Sequence, residues 1–595
     1  MSTSVRAYLS PTLVLLAYDW PEGESRADFL GFAIRRTPGF WSQDGKSRAN
    51  SSWLPNRLTF TGPVPTGEPD VDSSNAPIQK FMWWDARIDS QDREKSFTYE
   101  VFPVVGNPDS LQLLENAKAV CTVMLPAHIE DKIGTWFNRA VVSSQAFSHK
   151  LQAMGLAPNA VPPADKDLEL RTWLANDLEL AVPAAIAGAT AVAGAIYHLT
   201  DELWVIPALR KFSAVNSHQT ALVYDSHLIK NKNKISSPSP NQKVVDELGS
   251  KIHFYPRNKT NIMHNKVLIT GNARGPAMVM MGSANLTTEG LTQQANLLHT
   301  FESEALAALY NAQMAAIASN PTVAETAKLS KGWSPSININ PDTRVRVNFS
   351  PENNDRRTQI DTIVEAIAHA QHSVVFCMFM PTDQILLEAC FAAADRGLAM
   401  FGLVNKIDIK AEEKVNKSKV DGKQPTTAQL AAVELYHRSR QQKDVVDGEY
   451  FTKGNIPAGF VPEILLYPGD KYPPYPPVII HHKFLVIDAE GKTPIVYSGS
   501  ANMSNNSEHH NDENLLEIKG GKVAAIYLAE GLRLYEHYRA RAIHIDAVHN
   551  SVRGETLKLK SSKDDWALKY YRKDSPEYKA RLSDSILKPN HSCWF

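Results

Sequence analysis

At 595 residues the chain has room for about three or four domains, each able to bury its own core. Its 43% apolar and 21% charged residues are those of an ordinary globular protein, and 63 basic against 64 acidic side chains leave a formal charge of −1. That balance excludes a generally basic nucleic-acid binder and leaves room for a local basic groove. Cys121, Cys377, Cys390 and Cys593 show no metal spacing, and Cys377 and Cys390 sit in apolar runs as buried free thiols.

In chain order, "YLSPTLVLLAYDW" (8–20) is short and holds a proline, so it reads as a first strand and not as a signal peptide. Residues 1–125 contain several short strands separated by turn-rich spacers, the pattern of an accessory β-sandwich. The strand "FTYEVFPVVG", with Tyr99, resembles the tyrosine-bearing strand of a fibronectin type III or immunoglobulin-like domain. Apolar residues at helical spacing over 129–155, followed by a Pro-rich break, predict a helical connector over 126–166. The Ala/Gly-rich run 181–200 lacks the Leu, Ile and Phe density of a membrane span. A soluble chain is expected, cytoplasmic or exported without a classical signal.

Beyond the connector, strand and helix patterns alternate over 167–335 and again over 336–550. This predicts mainly parallel sheets covered by helices. Residues 551–595 read as a wrap over the last helix, with no chemistry assigned.

The two α/β stretches repeat each other. "MHNKVLITGNARGPAMVMMGSANLTTEG" (263–290) and "HHKFLVIDAEGKTPIVYSGSANMSNN" (481–506) each carry His-x-Lys before an apolar strand and Gly-Ser-Ala-Asn after the next. His264 precedes Ser283, and His481 precedes Ser500, by 19 residues in both copies; Asn285 and Asn502 follow at 21. "QQANLLHTF" (293–301) matches "NDENLLEI" (511–518). One His-x-Lys occurs by chance in many proteins; two copies with equal spacing mark a duplication.

Strand alternation puts His264 with Lys266, and His481 with Lys483, on one face. Closed about a pseudo-twofold axis, the halves would bring both pairs to one pocket suited to a phosphodiester. The lysines would neutralise the non-bridging oxygens, with Ser283, Asn285, Ser500 and Asn502 as further phosphate-binding donors. One imidazole would attack phosphorus while the other protonates the leaving oxygen and then activates water; the spacing does not say which does which. This chemistry calls for no metal or other cofactor, and His509 and His510, adjacent on a loop, are not read as ligands.

"HHKFLVID" together with "SGSANMSNNSEHHNDENLLEI" resembles the His-x-Lys-x4-Asp motif of the phospholipase D superfamily, over about residues 167–550. The resemblance implies two pseudo-symmetric α/β/α halves and a covalent phosphohistidine. It implies His264 as nucleophile, His481 as general acid/base, and Asp488 and Glu513 as supporting carboxylates. The first half departs from the pattern: Gly271 stands in the aspartate's place and Ala295 opposite Glu513, leaving His264 without support unless Glu302 or Asp225 supplies it.

Lysine-rich loops at 226–243 and 405–428, and a Tyr/Pro-rich segment at 466–478, flank the expected mouth. They suit a phospholipid headgroup at a membrane surface and stacked bases alike; the neutral charge balance, with no aromatic-plus-basic stripe elsewhere, favours the lipid, with transphosphatidylation to alcohols. A nucleic-acid phosphodiester is the alternative, an inactive lipid- or DNA-binding module a further one. No obligate protein partner is expected, and the chain is read as a monomer.

Overall fold

Alternating strands and helices in the middle of the chain form two eight-stranded sheets with the same strand order. The computed structural model describes residues 2–42, 45–65, 67–139, 144–156, 162–230, 236–448, 456–457, 459–461, 479–549, 557–573, 575, 577–579 and 581. The central strands of the first sheet run, in spatial order, Leu297–Glu302, Gly275–Gly282, Lys266–Asn272, Ala191–Ile196, Thr220–Asp225 and His253–Arg257. Those of the second run Glu513–Lys519, Ile495–Gly499, Lys483–Ile487, Ser373–Met378, Ala399–Val404 and Val445–Asp447.

Only three neighbouring strands of each sheet pair in parallel, the other pairings being antiparallel, against the expectation of mainly parallel sheets. Lys266–Asn272 turns straight back into Gly275–Gly282, a connection far shorter than the dozen or so residues a parallel crossover needs.

The segment expected to be helical divides. Ile129–Glu130 and Ile133–Phe137 are strands that extend the first sheet through pairing with Leu297–Glu302, and the helix is confined to Gln145–Ala153. All five residues of Ile133–Phe137 are buried, because this strand is covered on both faces and not on one helical stripe. Ser144 caps the helix by accepting the Phe147 N–H.

Inner faces of both sheets and the helices Glu304–Ala318 and Gly521–His549 share one core. Val267, Met281 and Tyr310 come from the first half, Phe484, Val496 and Tyr527 from the second. The Tyr527 hydroxyl also meets Nε2 of buried His299 at 2.7 Å across the halves. The halves are thus fused through packing. Among the described residues no helix is long and apolar enough to cross a membrane.

At the N-terminus, Ser4–Ser10, Leu13–Asp19 and Met82–Asp85 form one sheet, and Phe29–Thr37, Ser96–Asn107 and Ala119–Met124 belong to a second. Leu16, Tyr18, Phe32 and Tyr99 pack between them as a sandwich core. Its link to the second half is polar as well as apolar: Ser10 and Thr12 hydroxyls donate to buried Glu530 at 2.9 and 3.0 Å.

The C-terminal segment touches the last helix, where Arg539 donates to Glu577 at 2.9 Å, and it also reaches into the sandwich. Trp566, Ala567, Tyr570 and Tyr571 complete the sandwich core, where Trp566 meets Phe29 edge-on and donates its indole N–H to the Phe29 carbonyl at 3.1 Å. Large aromatics carry most apolar area per residue, and the sandwich offers the unfilled site. Trp566→Ala should therefore cost about 3–5 kcal/mol. Denaturant unfolding monitored on the sandwich would register the loss, and an unchanged midpoint would contradict this packing.

Candidate active site

The chain changes partners at each His-x-Lys. Ile479–Ile480 pairs in parallel with Gln294–Ala295 of the first half, whereas Lys483 onward pairs with Ser373–Met378 of its own sheet. His481 sits in the break between the two strands. His264 occupies the same break: Met263 bridges Asp512 of the second half, and Lys266 opens its own strand opposite Ile196. The backbone bonds match, His264 N–H to the Asp512 carbonyl (2.9 Å) and His481 N–H to the Ala295 carbonyl (3.1 Å).

The halves exchange supports at this point. Nδ1 of His264 lies 2.8 Å from Oε2 of Glu513 in the second half, and Nδ1 of His481 lies 2.9 Å from Oδ1 of Asn296 in the first. The missing carboxylate at His264 is therefore supplied by Glu513 and not by Glu302, which is exposed, or by Asp225, which accepts the Met263 N–H at 2.9 Å and holds the backbone instead. Strand pairing also shifts the repeat by one residue from the letter match. Gly282 opposes Leu298 as Gly499 opposes Leu515, so Asn296, not Ala295, stands where Glu513 stands in the other half.

These contacts fix both tautomers. Glu513 can only accept. Asn296 commits its Nδ2 to the Gly290 carbonyl at 2.8 Å and receives the Ser283 hydroxyl on Oδ1, so Oδ1 also accepts from His481. Each ring thus carries its proton on Nδ1 and presents a bare Nε2. Ser283 and Ser500 brace these supports: Ser283 holds Asn296, and Ser500 accepts the Asn514 N–H (3.1 Å) and helps keep Glu513 ionised. They are not free phosphate donors as expected. Asn285 is buried and Asn502 is its counterpart in the repeat, and the Oδ1 of each is buried without a partner among the described residues.

Lys266 and Lys483 are fully buried and curl back to the His264 and His481 carbonyls at 2.5 and 2.6 Å. Each leaves two of three N–H donors uncommitted among the described residues. Lys266 lies 5.0 Å from the Tyr197 ring centre and Lys483 lies 5.1 Å from that of Phe379. These two aromatics flank the histidines at equivalent positions, both at 5.0 Å. Tyr197 and Phe379 lie outside the repeated motifs, although each directly follows a strand that pairs with a motif lysine, and Asn296 lies inside the repeat but matches Asn514 by letters.

Burial sets the titration. It lowers His264 to about 4 against the pull of Glu513, and lowers Lys266 to about 7 against Glu513 and Asp225. His481 falls well below the usual histidine range through burial and then the charges of Lys483, Lys266 and His264; Lys483 falls well below the lysine range through burial and Lys266. Burial alone would raise Glu513, but His264 and Lys266 hold it below the usual carboxylate range. That each of the four groups feels charges from the other half places them in one site.

Asp488 stands apart. Its carboxylate accepts the N–H groups of Gln371, His372 and Ser373 at 2.7–3.1 Å and ties down the entry to Ser373–Met378. It bonds backbone there and does not touch His481. His482 faces away from the site, against Phe137 and Phe484. One further pair is asymmetric. Buried Arg257 grips Asp512, the neighbour of Glu513, at 2.7 and 3.0 Å, while Ala295 occupies the equivalent place beside Asn296. The Tyr/Pro-rich segment, with Tyr467, Tyr472 and Tyr475, and Lys232 and Lys234 lie outside the described residues.

The family model for a cardiolipin synthase, phospholipase D-like domain matches residues 197–318 and 363–534. No curated protein matches the sequence. Among solved structures, the fold is similar to phosphatidylserine synthase of Haemophilus influenzae Rd KW20 (11% identity, 69% of this chain and 94% of that one, TM-score 0.40). It is also similar to Nuc of Salmonella typhimurium (19%, 34% and 96%, 0.21) and to yeast tyrosyl-DNA phosphodiesterase (8%, 56% and 84%, 0.30).

Asp488→Asn should cost about 1–3 kcal/mol, because an amide oxygen cannot hold three N–H donors as a carboxylate does. The unfolding midpoint falls while the pH dependence of activity keeps its position; a displaced pH profile would show that Asp488 acts on His481 after all.

Proposed function

Because the chain belongs to the phospholipase D superfamily, whose members cleave or transfer phosphodiesters, we propose that it acts on glycerophospholipids such as phosphatidylcholine through a covalent phosphohistidine on His264. The observation that carries the role assignment is the unequal support of the two imidazoles, a carboxylate for His264 and a neutral amide for His481. A nucleophilic imidazole gains positive charge as its Nε2 bonds phosphorus, and Glu513 on Nδ1 stabilises that charge. The general acid must give its proton away, and an amide neighbour does not hold it back.

In the first step His264 Nε2 bonds phosphorus, the bond to the leaving alcohol oxygen breaks, and protonated His481 delivers its Nε2 proton to that oxygen. Neutral His481 then takes a proton from water, the water oxygen bonds phosphorus, and the N–P bond returns its electron pair to His264. Lys266 and Lys483, with the amides of Asn285 and Asn502, hold the non-bridging oxygens through both steps. The family model's own description, a cardiolipin synthase, favours a lipid diester and transfer to an alcohol acceptor. Primary alcohols replace water in the second step and give transphosphatidylation.

With phosphatidylcholine vesicles and ethanol, the protein should release choline and form phosphatidylethanol. No release, together with cleavage of single- or double-stranded DNA, would transfer the assignment to nucleic acid. His264→Ala and His481→Ala should each lower kcat by at least about 10³-fold, with a phosphoenzyme accumulating in His481→Ala and absent in His264→Ala. A phosphoenzyme in His264→Ala would reverse the roles.

The lysines give the pH dependence its sign. A buried lysine at about 7 loses its positive charge as pH rises through that value, so the free enzyme binds phosphate less well above it. On a soluble diester, kcat/KM should fall as pH rises through about 7. In Lys266→Arg, whose guanidinium keeps its proton, the falling limb should move upward; an unmoved limb would assign it to another group.

A further inference from the structure

The loops that follow the parallel strands of both halves leave large apolar side chains in water at the same end of the sheets as the site. Leu203 and Ile385 occupy equivalent positions, each seven residues after the strand residue paired with a motif lysine (Ile196 and Met378). Met380 directly follows Phe379, which packs on His481. Leu228 and Ile229 follow His227, which shares Asp225 with the backbone N–H before His264. Ile409 follows the loop whose Asn405 accepts the Ile480 N–H at 2.9 Å, one residue before His481. These six are 39–65% exposed and make up six of the seventeen large apolar side chains so exposed among the described residues. Single exposed apolar residues are ordinary, but six drawn from both halves, on the segments that leave the strands and loops building one site, are not.

We propose that this rim is a docking face for an anionic lipid bilayer, which the apolar tips enter while the site faces the headgroups. This rests on the reading of the site as a glycerophospholipid phosphodiesterase and adds the surface on which it works. Two features choose this occupant. All six side chains are aliphatic or thioether, which enter an acyl boundary readily and offer no ring face on which a base could stack. Beside Ile409, exposed Lys406 and Lys410 form no ion pair among the described residues, and such lysines are drawn to anionic headgroups.

The test uses the full chain with Leu228→Ser and Ile409→Ser combined, substitutions that touch none of the site's polar groups. Three readouts are compared with the parent chain: co-sedimentation with phosphatidylcholine vesicles containing phosphatidylglycerol, binding of a single-stranded oligonucleotide, and turnover of bis-p-nitrophenyl phosphate in solution. The double variant should partition to vesicles at least tenfold more weakly, with turnover of the soluble diester and its unfolding midpoint unchanged. The parent chain's partition should fall when phosphatidylglycerol is omitted or salt is raised. Unchanged vesicle partition in the variant, or a parent chain that fails to sediment, overturns the docking face. An equal loss of oligonucleotide binding gives the rim to nucleic acid and overturns it as well. A parent chain that sediments but turns over no diester supports the docking face and refutes the catalytic reading, so the two fail separately.

Discussion

Everything in the active site depends on the two halves lending each other the residue that supports the histidine. Neither half is complete alone: the ring of His264 is held by Glu513, and the ring of His481 by Asn296. The lender also fixes the borrower's backbone, because the carbonyl next to each supporting residue receives the N–H of the supported histidine. One crossing therefore sets both position and tautomer. The shared apolar core and the His299–Tyr527 contact keep the halves in the register that this exchange requires. A small relative slide would separate both hydrogen bonds together, so the fused core is a condition of the chemistry as well as of stability.

Symmetry is broken where the chemistry needs it to be. A carboxylate on one side and an amide on the other give two imidazoles of the same geometry different charge environments. The pair Arg257–Asp512 belongs to the Glu513 side alone and anchors the segment that delivers the carboxylate. Removing one partner of such a fully buried pair leaves an uncompensated charge, so it is placed where displacement would be most costly.

Much of this was legible in the residues, and the failures have physical causes. Equal spacing of the two His-x-Lys and Gly-Ser-Ala-Asn sets located the duplication because the strands between them have the same length. The supports were misplaced because letters were matched: "ANLLH" aligned on "ENLLE" puts Ala295 opposite Glu513, whereas strand pairing puts Asn296 there. Spacing within one half also cannot reveal a partner that arrives from the other, so His264 looked unsupported. Asp488 was misread for a related reason. Its place in a motif says that a carboxylate is needed there and not what it bonds, which is three backbone N–H groups. Helical spacing over 129–137 failed because a strand buried on both faces shows no alternation, and "TWF" satisfies either period.

The two buried lysines leave a question of cost. A cation withdrawn from water without a counter-charge is held at an energy the fold must carry, and the depressed titration of Lys266 and Lys483 records it. Among the described residues the anions that Lys266 feels are Glu513, engaged with His264, and Asp225, engaged with His227 and the Met263 N–H. The free site is therefore short of negative charge, and a phosphodiester restores it. An anionic ligand there favours the protonated lysines, and by the same field it favours a proton on His481, the form that the proposed general-acid role requires. The polar residues that look misplaced in apolar strands are thus poised to be satisfied by the ligand, and the extra negative charge of the pentavalent transition state satisfies them further than the ground state can.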